Sequence, residues 1–140
     1  MKNKNIVKMN ENKKIVLIVD DDIDYLFQMK INIEKMGFQV ITAEGQLEAE
    51  QILEKMKPDI AIIDLMMESE DSGFILSYKL KMKYPDIPII IATAVTAETG
   101  ITFENDLSQN NSWIKADLFI DKGIRMEQLQ REINKLLNIS

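Results

Sequence analysis

Asp20 and Asp21 close the apolar run Ile15-Val16-Leu17-Ile18-Val19, and Asp64 closes a second run, Ile60-Ala61-Ile62-Ile63. Runs of this kind read as buried parallel strands, and an open α/β sheet binds its ligands outside the carboxyl ends of such strands. Carboxylates brought to about 5 Å repel one another by roughly 3 kcal/mol per pair at an effective dielectric near 20. A hard divalent cation such as Mg2+, which takes oxygen ligands in octahedral geometry, relieves that repulsion. Thr93 ends a third apolar run and Lys122 follows a fourth. Taken singly, each has a plain reading: a helix cap for an aspartate, a strand position for the threonine, a solvated surface site for the lysine. Three acids, a hydroxyl and an ammonium at four strand ends together read as a metal-assisted phosphate site with an aspartate as acceptor.

The elements that must position this set follow from the pattern of the chain. Apolar strands alternate with helical stretches, which predicts an α/β fold with a doubly wound five-stranded parallel sheet. Strand one covers roughly 14–20. A helix follows with Leu26, Met29, Ile33 and Met36 on one face and Gly37 at its end, and Asp22 or Asp24 is expected to cap its start. Phe38 to Ala43 is the second strand. Gly45 opens a helix with Ala49, Ile52, Leu53 and Met56 inward, and Lys57-Pro58-Asp59 stops it, because the residue before a proline avoids the α region. A loop from Leu65 to Ser72 leads to a helix over about 73–83. Ile87 to Thr93 is the fourth strand, Leu118-Phe119-Ile120 the fifth, and Leu129, Ile133, Leu136 and Leu137 mark a last helix. Residues 94–116 hold one weak helical segment and are long for a single crossover. The count is five strands and five helices.

Composition bounds the answer. The 140 residues suit one domain, with 46% apolar and 29% charged residues, too apolar for a disordered chain. The expected division is a flexible N-terminal tail over 1–13 and a folded domain over 14–140. There is no Cys, which excludes disulfides and thiolate zinc sites, and no His, which excludes catalytic triads and His-ligated metals. The net charge is −6, and residues 1–13 carry +3, leaving −9 for the rest. That balance argues against binding nucleic acid by neutralising phosphates. The basic tail reads as a lead-in, or alternatively as an arm for a partner. The longest uncharged stretch, Ile87 to Ala97, is far short of a membrane span, and the first residues lack the apolar core of a signal peptide. No membrane partner and a cytoplasmic location are expected.

Four motifs in this order resemble the receiver domain of the two-component response regulators, over about residues 14–138. They are Leu17-Ile18-Val19-Asp20-Asp21, Pro58-Asp59-Ile60-Ala61-Ile62-Ile63-Asp64, Pro88-Ile89-Ile90-Ile91-Ala92-Thr93-Ala94 and Ala116-Asp117-Leu118-Phe119-Ile120-Asp121-Lys122. The resemblance implies a flavodoxin-like (βα)5 fold with strand order 2-1-3-4-5. It implies that Asp64 accepts a phosphoryl group from a phosphohistidine on a sensor histidine kinase or phosphotransfer protein. Asp20, Asp21, Asp64 and the backbone carbonyl of Met66 would hold Mg2+, with Mn2+ as a substitute. Lys122 and Thr93 would contact the phosphoryl oxygens, Phe119 would be the aromatic switch residue coupled to Thr93, and Met66 and Val95 would tune dephosphorylation. Neither of those two side chains orients water by a strong hydrogen bond, so the resemblance implies slow self-dephosphorylation.

The chain also departs from the family pattern. Glu68 stands where the family often has proline, and Gly73 arrives about one residue late. Gly123 replaces the proline after the lysine; because a cis bond before a non-proline residue costs about 2.5–4 kcal/mol, the Lys122–Gly123 bond is expected to be trans. Thr93 and Lys122 lie 29 positions apart. The surplus contains Gly100-Ile101-Thr102-Phe103 and Trp113, resembling a subgroup with an enlarged fourth crossover. That surplus would reshape the partner surface, or be no more than a surface loop.

The leading expectation is a single-domain response regulator, not an enzyme, with no effector domain. Its phosphorylation would switch a surface made by the fourth helix, fifth strand and fifth helix toward an unknown downstream protein. A phosphorylation-dependent homodimer through that face is a further option. Two alternatives remain. One is a receiver-like protein-binding scaffold that is not phosphorylated. The other is a Mg2+-dependent aspartyl-phosphate hydrolase resembling the haloacid dehalogenases, which would use Asp20 instead of Asp64 as the acceptor.

Overall fold

The structure, a computed structural model, describes residues 13–67, 69, 71–94 and 116–139. Five parallel strands, β1 (Ile15–Val19), β2 (Gln39–Ala43), β3 (Ile60–Asp64), β4 (Ile89–Thr93) and β5 (Leu118–Asp121), form one sheet in the order β2-β1-β3-β4-β5. The described helices are α1 (Ile23–Lys35), α2 (Gln46–Leu53), α3 (Ser72–Lys83) and α4 (Met126–Leu137). The α4 helix is the last of the five expected. The weak helical segment expected within 94–116 and the long crossover itself, with Trp113, lie outside the described residues, as do the tail through residue 12 and Glu68.

Alternation along the strands explains why helices cover both faces. Val16, Ile18, Ile60, Ile62, Ile90, Ala92 and Ile120 point to one face, where α1 supplies Leu26, Met29 and Ile33 and α4 supplies Leu129 and Ile133. Leu17, Val19, Ala61, Ile63, Ile89 and Ile91 point to the other, against Ala49 and Leu53 of α2 and Leu76 and Leu80 of α3. Strands β3 and β4 are buried along their whole length, so the residues at their ends are anchored in the most buried part of the sheet.

The strand starts are clipped by a repeated device. Asp59 donates its N–H to Ile15 O and accepts the Ile15 N–H on Oδ2 at 2.7 Å. Asp117 does the same to Ile89, at 2.8 Å each way. Helix α1 starts at the Asp22 cap, whose Oδ1 accepts the Tyr25 N–H at 3.2 Å, and is followed by Gly37 in the left-handed region at φ +99. Some boundaries differ from the sequence reading. β4 begins at Ile89, because Pro88 has no N–H to donate to the ladder. Helix α2 ends at Leu53, and Met56 falls in the turn toward Pro58. At the far end of the sheet from the acidic residues, Leu136 and Leu137 of α4 border a hollow with Pro58, Ile87 and Pro88.

Candidate functional site

Parallel register brings the expected residues together. Val19 pairs with Ile63, and Asp64 pairs with Ala92, so Asp20 leaves β1 beside the end of β3. One oxygen each of Asp20, Asp21 and Asp64 lies within 4.8 Å of the others. Asp20 and Asp64 are buried, 1% and 7% exposed, while Asp21 is exposed at the mouth. The Asp20 carboxylate is oriented by the chain after it: its Oδ1 accepts the Asp22 N–H at 2.9 Å. Its own N–H donates to Ala43 O.

Lys122 reaches across from the end of β5. Its backbone N–H donates to Thr93 O at 3.0 Å, extending the β4–β5 ladder past the strand, and its ammonium bridges Asp20 Oδ2 at 2.7 Å and Asp64 Oδ1 at 3.1 Å. The Asp20 contact is a close ion pair off the axis of an aligned hydrogen bond, which leaves that buried oxygen without a well-directed donor among the described residues. A cation fits this description. An octahedral sphere of Mg2+ spaces its ligand oxygens about 3–4 Å apart, the three carboxylate oxygens lie within 4.8 Å of one another, and they are the hard donors that such an ion takes.

Electrostatics set the protonation of the pocket. Burial, reinforced by the charges of Asp20 and then Asp21, outweighs the lysine and holds Asp64 up at about 6. Burial alone would lower the Lys122 ammonium. The close ion pair with Asp20 and the charge of Asp64 reverse this, leaving it above its ordinary value.

Thr93 is buried at the end of β4 and pairs with Asp121. Phe119 pairs with Ile91, two residues earlier, and belongs to the same side of the sheet as Thr93 by strand alternation. Met66 is exposed just past β3, where the Leu65 N–H still bonds Ala92 O. Val95 lies outside the described residues. No described peptide bond is cis, the Lys122–Gly123 bond included, and the Gly123 N–H turns back onto Asp121 Oδ1.

Two contributors were missed in the sequence. A Cβ on Gly73 would lie 2.7 Å from Leu65 O and 2.8 Å from Leu65 Cα, and closer still to Asp64 O, so the first turn of α3 is pressed against the end of β3. The late position of this glycine is visible in the sequence; the contact that requires it is not. Tyr25 lies in the first turn of α1, its ring centroid 4.7 Å from the Lys122 ammonium, and burial pushes its phenol up to about 12. An aromatic residue one turn after an acidic pair was the available signal.

The comparisons with known proteins agree with this geometry. The family model described as response regulator receiver domain matches residues 16–134. The chain is 30% identical over 131 residues to the probable transcriptional regulator ycf27 of Cyanophora paradoxa, covering 92% of this chain and 50% of that one. It superposes on a CheY-like receiver domain protein from Methanospirillum hungatei with a TM-score of 0.76 at 26% identity, covering 91% of this chain and 95% of that chain. Response regulator protein TrrA from Thermotoga maritima, solved in complex with Mg(2+)-BeF, gives 0.72 at 27%, covering 88% and 98%. The chain spans half or less of the curated relatives, which are transcriptional regulators. They lend no support to the exclusion of nucleic acid drawn from net charge. No described helix is long and apolar enough to cross a membrane. The chain belongs to the response regulator receiver domain family, the phosphoacceptor domains of two-component signalling.

Proposed function

We propose that this receiver takes a phosphoryl group on Asp64 from a phosphohistidine of a sensor histidine kinase or phosphotransfer protein. A carboxylate oxygen of Asp64 attacks phosphorus, the phosphorus–nitrogen bond breaks, and its electron pair returns to the imidazole. The observation that carries this reading is the meeting of Asp20, Asp21, Asp64 and Lys122 at adjoining strand ends. Phosphoryl transfer needs an in-line approach and neutralised equatorial oxygens, and little else from the protein. Asp20, Asp21 and Asp64, with the Met66 carbonyl, are the residues to hold Mg2+, with Mn2+ as a substitute. The ion would neutralise charge on the phosphoryl oxygens. Lys122 supplies a positive charge on a flexible stem, and Thr93 a hydroxyl. Phe119, on the face of Thr93, would turn inward when that hydroxyl engages phosphate, altering the surface offered to a downstream protein.

Incubation with acetyl phosphate and Mg2+, followed by mass spectrometric mapping, tests the proposal. The expected product is an acyl phosphate on Asp64 that Asp64→Asn abolishes. Phosphate on Asp20 would point to hydrolase chemistry. The unphosphorylated scaffold draws on a specific contact, the Lys122 bridge that an entering cation must displace. A protein that takes no phosphate under saturating Mg2+ would establish it.

A further inference from the structure

We infer that Tyr25 is a positioning residue for Lys122: its ring face holds the ammonium over the two carboxylates. This rests on the phosphoacceptor reading above and deepens it. The ammonium sits 4.7 Å from the ring centroid, within the distance at which the negative face of an aromatic ring attracts a cation. Tyr25 is itself fixed. The Asp22 carboxylate accepts the Tyr25 N–H, and the Asp22 N–H in turn donates to Asp20, so two successive hydrogen bonds tie the backbone that carries the ring to the carboxylate it serves.

A purely structural role does not explain a tyrosine here. The side chain packs against the apolar cluster shared by α1 and α4, which leucine or methionine would also cover. Its hydroxyl is buried with no hydrogen-bond partner among the described residues, a cost that neither of those residues would carry. The ring face toward Lys122 is what they lack. A lysine has four flexible methylenes and its ammonium is free to swing toward solvent. Three contacts, to Asp20, Asp64 and the Tyr25 ring, confine it to the side of the pocket from which phosphoryl oxygens must be neutralised.

The test compares Tyr25→Phe, which keeps the ring face, with Tyr25→Leu, which removes it. Tyr25→Met provides a second ringless variant should leucine fail to fold. With acetyl phosphate at saturating Mg2+, the ringless variants should form the acyl phosphate about tenfold more slowly, and Tyr25→Phe within about twofold of the wild type. In NMR spectra, the Lys122 ε-methylene protons should be shifted upfield by the ring in the wild type and in Tyr25→Phe, and lose that shift in the ringless variants. Ringless variants as fast as wild type, a Tyr25→Phe variant as slow as they are, or no ring-dependent shift would each overturn the assignment. A wild type that takes no phosphate overturns the function itself; a phosphorylated wild type with indistinguishable variants overturns only the role of Tyr25.

Discussion

Replacing Asp64 by asparagine should stabilise the metal-free protein at neutral pH, although it removes half of an ion pair. Asp64 is held at about 6, against 3.8 for an ordinary aspartate, because burial and the Asp20 charge outweigh Lys122. A carboxyl whose folded value is raised gives its full stability below about pH 4, where both states are protonated. As pH rises the unfolded chain releases its proton first, so that stability is lost through pH 6 and stays lost above it. The difference amounts to at most about 3 kcal/mol at pH 7. Solvent reaches the pocket mouth and screens these charges, so about 1–2 kcal/mol is expected. That corresponds to a rise in Tm of roughly 3–6 °C for a domain of this size. Urea unfolding in EDTA from pH 4 to 8 measures it, because other titrating groups cancel between wild type and variant. The gain should be near zero at pH 4, grow through pH 6 and then level. Saturating Mg2+ should narrow it, since the ion binds the folded wild type and stabilises it by mass action. A variant less stable at pH 7, or a difference flat with pH, would refute the account of the pocket as carboxylates held together against repulsion.

Three further outcomes are expected. Gly73→Ala forces a methyl into the backbone of Asp64 and Leu65, and should cost about 1–3 kcal/mol in urea unfolding; an unchanged midpoint would show that α3 yields easily. Lys122→Met removes the ammonium that competes with a cation for Asp20 and Asp64. Calorimetry should find Mg2+ bound roughly threefold to tenfold more tightly, while phosphorylation slows; weaker Mg2+ binding would contradict the competition. Because Met66 offers no strong hydrogen bond to water, the purified phosphoprotein should decay over hours. Decay within seconds would assign water positioning to another group.

Much of the site was legible because strands announce their ends. An aliphatic run followed by a carboxylate fixes both a buried strand and the place where its polar cap emerges, which is why Asp20, Asp64, Thr93 and Lys122 could be placed before any coordinates. The alternation of helix and strand likewise carried the doubly wound parallel sheet, while its order, 2-1-3-4-5, came from the family resemblance. The remainder was hidden for physical reasons. Whether Lys122 lies over the carboxylates or in solvent depends on flexible torsions that the local sequence does not constrain, and the Tyr25 ring belongs to a helix almost a hundred residues earlier in the chain. The contact that demands glycine at position 73 exists only after α3 has docked on β3. Boundaries shifted for a local reason, as at Pro88, where a missing donor postpones the ladder.

Helix α4 runs away from the acidic mouth and finishes beside Pro58, Ile87 and Pro88, near the turns from which β3 and β4 set out. Strand β1 also departs from that pole, its first N–H clipped by Asp59. Fluorophores, affinity handles or a surface tether attached near Lys13 or Ile139 would therefore hang on the side opposite Asp20 and Asp64. Immobilised in this way, the protein keeps the rim formed by Asp20, Asp21 and Asp64 unshadowed.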